Sequence, residues 1–168
     1  MLELPADDSL PQRVLLRSRA DMVPAVLAVL KRARHEIRCL HHDLSAFELS
    51  QVATVEALHV FLHASHRAHV RLLVDATGWL ETHAARLKLL QRQLAHSIDM
   101  RLAITDDPVG DDAAFIADDA HVLILSRSVH GLGEIWFNNQ PRVQPLVTSF
   151  DRRWEAGAHN LPVAPLGL

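Results

Sequence analysis

Histidines and carboxylates carry most of what this chain could do chemically. His59, His63, His66 and His69 recur at spacings of four, three and three. On a helix the first three gather on one side, and histidines at i, i+4 can hold zinc when a carboxylate completes the set. Glu56 lies one turn before His59. The same helical wheel puts His66 close to the apolar row Val55, Leu58 and Leu62, with His59 and His63 at its edge. A border of amphipathic side chains beside a core face is therefore preferred to a zinc site at His59, His63 and His66. His41-His42-Asp43 closes a strand-like run. Ligands of open α/β sheets favour crevices outside the carboxyl ends of strands. His42 and Asp43 are thus candidates for a pocket shared with Ser126 and Ser128, against the plainer reading of a polar loop. His130-Gly-Leu-Gly-Glu134 is another candidate edge, because glycine lets backbone approach closely; a simple turn explains it equally. Asp106, Asp107, Asp111 and Asp112 could draw a divalent cation, but their spacing does not fit an EF-hand loop, and a solvated acidic loop is expected.

These groups need elements to hold them. Residues 1–12, with Pro5, Pro11 and an acidic pair, read as a loose arm, and Arg13–Leu16 as a short strand. Asp21 is a plausible helix N-cap, Pro24 fits a first turn, and Val23, Val26, Leu27 and Leu30 follow at helical spacing. Ile37–Leu40 reads as a strand, residues 50–65 as a helix, and His69–Asp75 as a strand with apolar residues on both faces, as a covered parallel strand requires. A long helix is predicted over residues 80–95, an alternating strand over Ile98–Ile104, and two short strands over Ala113–Ala117 and Val122–Leu125. Asp118-Asp119-Ala120 forms the turn between those two. Glu134–Asn138 is a further strand candidate. Pro141 opens a last helix with Val143, Leu146, Val147, Phe150 and Trp154 on one face, ended by Gly157. This order predicts an α/β fold, a mixed sheet sandwiched by helices. One domain spans residues 13–157, with a Pro-rich tail at 158–168.

Composition sets outer bounds. The chain has 168 residues, 49% apolar and 22% charged, one domain's worth with enough apolar material for a core. No apolar run approaches the ~20 residues of a membrane span. The acidic N-terminus lacks the layout of a signal peptide, and the single Cys39 cannot pair within the chain, so a reduced, cytoplasmic setting is expected. A formal net charge of −3 disfavours nucleic acid as a partner. Cys39 reads as a small buried hydrophobe, and Trp136, Phe137 and Trp154 as core or contact aromatics.

Residues 112–137 add a resemblance. Phe115-Ile-Ala-Asp-Asp-Ala, the apolar strand before Ser126, and Phe150-Asp-Arg-Arg-Trp154 resemble, in order and spacing, one half of the phospholipase D superfamily. Its active members carry H-x-K-x-x-x-x-D and then G-S-x-N. With Asp119 on the motif aspartate, Asp112 falls on the nucleophilic histidine and Ala114 on the lysine. Ser126 falls on the motif serine, Leu125 on its glycine and Ser128 on its asparagine. Moving the register to Asp118 puts Asp111 and Ala113 at the reactive positions instead. In either register the imidazole nucleophile and the phosphate-neutralising lysine are missing.

The resemblance implies a degenerate half-domain, of an uncharacterised bacterial type, with Asp112, Asp119, Ser126 and Ser128 as its residual pocket. The expected function is non-catalytic, a binding or protein-interaction module. Because the superfamily's sites form between two halves, a homodimer is expected, with a symmetric contact through Glu134–Asn138; a protein partner is the other expectation. No cofactor is called for. The competing expectation is a hydrolase of phosphoesters or nucleotides with relocated chemistry at His42, Asp43, His121 or His130, with or without a metal such as zinc or manganese.

Overall fold

The computed structural model describes residues 1–5, 9–128 and 131–158. Seven strands form one mixed sheet in the order β1-β7-β6-β5-β2-β3-β4. Its parallel part comprises β2 (Glu36–Leu40), β3 (His69–Val74) and β4 (Ile98–Leu102). The antiparallel part adds β5 (Ala114–Ala117), β6 (His121–Ser128), β7 (Gly131–Phe137) and the edge strand β1 (Gln12–Leu16).

Strand alternation divides the core in two. Ile37, Cys39, Val70, Leu72, Phe115, Leu123 and Ile135 point to the face covered by α1 (Met22–Arg32), α2 (Val52–Ala64), α3 (Gly78–His83) and α4 (Ala85–Gln93). Leu40, Leu73, Ala114, Ile116 and Val122 point to the face covered by α5 (Gln140–Ala156), through Val143, Val147, Phe150 and Trp154. The α5 face is also charged. Arg38 and Arg71, neighbours in register, share Asp151 of α5 at 3.3 and 2.8 Å, and both also pair with Glu36. Arg101 donates to the Trp154 carbonyl at 2.7 Å and lies over the Trp154 ring at 4.7 Å. A guanidinium at the negative end of α5 is favourable.

Three expectations need correction. The helix predicted over residues 80–95 is two helices with a break at fully buried Ala84 (φ −106°, ψ 38°), which no local breaker announces. Helix α2 stops at Ala64, so His66 stands outside it, exposed in the following turn. Glu134–Phe137 is not an open edge: β1 pairs with one side of β7 and β6 with the other. The Glu134 carboxylate is taken by Arg13 and by the Trp136 indole at 2.8 Å. A contact between copies through that backbone is closed off. Among the described residues no helix is long and apolar enough to cross a membrane.

Candidate functional site

A cavity of about 900 Å³ opens where the parallel strands end. Its walls come from His41, His42, Asp43, Ser45 and Ala46 after β2, from Gly110, Asp111 and Ala113 before β5, and from Leu125, Ser126 and Leu132 on the β6–β7 hairpin. A crevice at the carboxyl edge of an open sheet is the expected place for a ligand.

The loop after β2 is fixed by its own polar groups. His41 Nδ1 accepts the backbone N–H groups of Asp43 at 3.2 Å and Leu44 at 3.0 Å. Two donors on one nitrogen put the ring proton on Nε2, although Asp43 Oδ1 also lies 3.1 Å from Nδ1. That Asp43 oxygen already accepts the Ser45 hydroxyl at 2.6 Å and the Ser45 N–H at 3.0 Å. Burial works against the Asp43 charge, but the Ser45 bonds and the nearby imidazoles hold its carboxyl below the usual range. The bend needs left-handed backbone at Leu44 (φ 69°) and Glu48 (φ 52°), and packs the His41 ring edge-on to buried Phe47 at 5.9 Å.

Asp75, just past β3, joins the two sides of the cavity. Its carboxylate accepts the N–H groups of Val109 and Gly110, both at 2.8 Å, and lies 3.3 Å from His42 Nδ1. Gly110 takes φ 62°, a backbone that glycine adopts without strain. Asp75 thereby holds the acidic loop against the sheet and orients the half-exposed His42 ring. The sequence reading placed Asp75 only as the end of a strand; its position one residue beyond a buried parallel strand was the available signal.

The structure divides the sequence candidates. It brings His42, Asp43 and Ser126 to the cavity. Asp112 and Ala114 are not on its wall: alternation turns Ala114 into the α5 core, and Asp112 pairs with Arg153 at 2.8 Å. Asp111 and Ala113 line it instead. Asp119 is also elsewhere, accepting from Gln140 at 3.3 Å. Asp118 is the aspartate with the built-in role. At φ 53° its carboxylate accepts the N–H groups of Arg34, His35 and Glu36 at 2.8, 2.9 and 2.9 Å. In the register that sets the resemblance's motif aspartate on Asp118, Asp111 and Ala113 would fall on its histidine and lysine positions. Asp111, Asp112 and Ala113 precede β5, so the loop's own course and not strand alternation decides which of them faces the crevice. The Ser128 side chain and His130 lie outside what is described. His121 sits at the other end of β6, buried, with Nδ1 accepting the Asn138 N–H at 3.2 Å.

The histidines of α2 do not assemble a metal site. His59 and His63 stack with ring centroids 4.1 Å apart, and His63 Nδ1 donates to the His59 carbonyl at 2.8 Å. His66 is off the helix, and among the described residues no group of three His, Cys, Asp or Glu side chains converges. Asp107 belongs to a structural set with Arg152 and Arg153.

A family model described as a domain of unknown function (DUF7931) matches residues 18–163. No curated protein matches the chain. Similar solved structures include Nuc of Salmonella typhimurium, a phospholipase D family member, with a TM-score of 0.62, 18% identity, and coverage of 89% of this chain and 98% of that one. NucT of Helicobacter pylori has a TM-score of 0.57, 11% identity and the same coverage. TrmBL2, an archaeal chromatin protein described as binding DNA, has a TM-score of 0.63 and 14% identity over 94% of this chain; the match spans 55% of its own length. At these identities the likeness establishes the fold, which is phospholipase D-like.

Proposed function

The chain belongs to the family of domains of unknown function DUF7931, and on its phospholipase D-like fold we propose that it is a non-catalytic binding or protein-interaction module, with the cavity at the sheet's carboxyl edge as its ligand-facing surface. One observation carries this: the wall positions matching the motif's histidine and lysine are Asp111 and Ala113. The superfamily reaction that the resemblance implies needs an imidazole to form a covalent phosphohistidine, and a cation to neutralise phosphoryl oxygens. A carboxylate and a methyl group supply neither. What remains is a cavity of mixed lining, polar at His42, Asp43 and Ser126 and apolar at Leu125 and Leu132, with its loops fixed by Asp75 and Asp43.

The test has two arms. Generic aryl phosphodiesters and phosphomonoesters, with and without zinc or manganese, should show no turnover above background. A thermal-shift screen of small polar ligands should give hits that weaken in Ser126→Phe, which puts a ring against the Ser126 wall of the cavity. Turnover that is lost in both His42→Ala and Asp75→Asn would overturn the reading.

One observation favours a second reading, a hydrolase with relocated chemistry. His42 Nδ1 faces the Asp75 carboxylate, the arrangement that orients an imidazole as a general base. Within the described residues no Ser or Cys nucleophile has a hydrogen bond to His42, so such a base would act on water. For nucleic acid, the DNA-binding description of the archaeal structure is set against this chain's net charge of −3. Fluorescence anisotropy with single- and double-stranded probes at low salt should show no binding.

A further inference from the structure

The outer face of α2 is unlike an ordinary solvated helix surface. Its inner face buries Leu58, Phe61 and Leu62, yet Val52 and Val60, two turns apart on the opposite side, are 49% and 69% exposed. Glu56, His59 and His63 share that exposed side, so it is a mixed face with an apolar patch at Val52 and Val60, where an ordinary solvated helix face would be polar. Beside it, α4 exposes 54% of Leu89. Between the two helices runs an apolar groove of about 580 Å³, with Glu56 on the α2 side and Arg86 on the α4 side. Neither charge has an ion-pair partner among the described residues.

We propose that this groove is the contact between two copies of the chain, with α2 and α4 of one packing on α4 and α2 of the other. The occupant is argued from charge. A two-fold axis through the groove exchanges its two walls, so Glu56 of each copy meets Arg86 of its partner while the valines and Leu89 are buried at the centre. A patch carrying an acid on one wall and a base on the other is its own complement, as an isologous contact requires. A charged rim around an apolar centre is also the usual anatomy of such a contact. The groove lies among the helices on one face of the sheet, and the cavity lies at the sheet's edge. This dimer therefore does not depend on what the cavity binds.

Sedimentation velocity at tens of micromolar should give a dimer for the wild-type chain. Val60→Glu with Leu89→Glu should give a monomer with unchanged circular dichroism, whose melting temperature no longer rises with protein concentration as the wild type's should. Glu56→Arg alone and Arg86→Glu alone should each weaken the dimer by about threefold to tenfold, as partly exposed ion pairs do. The two together should restore it, which distinguishes a second copy from any other occupant. Ser126→Phe should leave the dimer intact. A wild-type monomer at these concentrations overturns the proposal and leaves the groove to a different partner. So does a dimer that survives the paired glutamates, or charge reversals that fail to rescue one another.

Discussion

Replacing Asp118 separates two roles that one side chain plays. Its carboxylate takes three backbone N–H groups from residues 34–36, tying the α1–β2 connection to the β5–β6 turn. Its own backbone sits at φ 53°. Hydrogen bonds to a charged acceptor contribute ~1.5–3 kcal/mol each when buried. Arg34 and His35 are exposed and Glu36 half-buried, so water recovers part of the loss, and about 1 kcal/mol per bond is the better figure. Asp118→Ala then loses ~3 kcal/mol of bonding plus ~1 kcal/mol for a Cβ in left-handed backbone without a helpful polar group. At ~2–4 °C per kcal/mol for a chain of this size, its melting temperature should fall by about 8–16 °C. Asp118→Gly removes the same bonds and the steric cost, but loses ~0.5–1 kcal/mol to chain entropy, and should lie slightly above alanine. Asp118→Asn tolerates the backbone and keeps an amide oxygen as acceptor, so its loss should be about half that of alanine. Urea and thermal denaturation followed by circular dichroism at neutral pH give the ranking. An alanine variant within about 1 kcal/mol of wild type would refute the bonding argument; glycine below alanine would refute the backbone one.

Four further outcomes follow from the same structure. Trp154 is 4% exposed, stacks on Phe150 and carries the Arg101 guanidinium; Trp154→Ala should cost about 3–5 kcal/mol in urea unfolding, and a loss below 1 would mean that ions rather than apolar packing dock α5. Glu134 is held below its ordinary value of 4.5 against burial, by the Trp136 indole and Arg13. Its unfolded form therefore takes up a proton first on acidification, and its contribution is present above that value and lost below it. The melting-temperature gap between wild type and Glu134→Gln should thus be open at neutral pH and narrow as the pH falls below 4.5; a gap independent of pH would refute it. Burial pushes the Cys39 thiol well up, so a disulfide reagent should label it only as fast as the chain unfolds, and prompt labelling in native buffer would contradict the packing. Asp75→Ala, which removes both acceptor oxygens, should speed hydrogen exchange at the Val109 and Gly110 amides by about tenfold or more, with β3 itself unchanged; unaltered exchange would show that the acidic loop is held by something else.

The layered α/β fold was legible because the apolar pattern states it. His69–Val74 reads as a strand covered on both faces, and the row Val143, Val147, Phe150 and Trp154 reads as a helix face; each packs as read. What could not be read depends on contacts distant in sequence. Nothing local says that β1 will close the side of β7, which decided the fate of the Glu134–Asn138 contact. Nor does anything local say that α2 ends before His66, which removed the third histidine. At the site, His42, Asp43 and Ser126 were legible as polar residues at strand ends. Asp75 was not, because its importance lies in two amides more than thirty residues away. Asp112 turns away to pair with Arg153 while Asp111 lines the cavity, and both lie in the loop before β5, whose course no strand period predicts.

On the proposed non-catalytic reading, Asp118 accounts for how the framework would stand without the motif's imidazole and lysine. Of the motif positions the superfamily resemblance supplies, the aspartate is the one the backbone uses directly, through three amides that the turn would otherwise leave to water. The positions at Asp111 and Ala113 face an open cavity, and among the described residues no backbone hydrogen bond depends on their side chains. A lysine or histidine there would place polar groups against a water-filled space, and their absence leaves no buried donor or acceptor unpaired. The fold therefore makes unequal demands on one short motif. It requires the turn carboxylate for stability and is indifferent to the two wall residues that chemistry would require. A chain can satisfy the first demand and ignore the second while the cavity keeps its shape, because that shape is set by Asp75, Asp43 and the β6–β7 hairpin. This is why a phospholipase D-like fold is weak evidence for phosphodiester cleavage here, and why the cavity wall decides the functional reading.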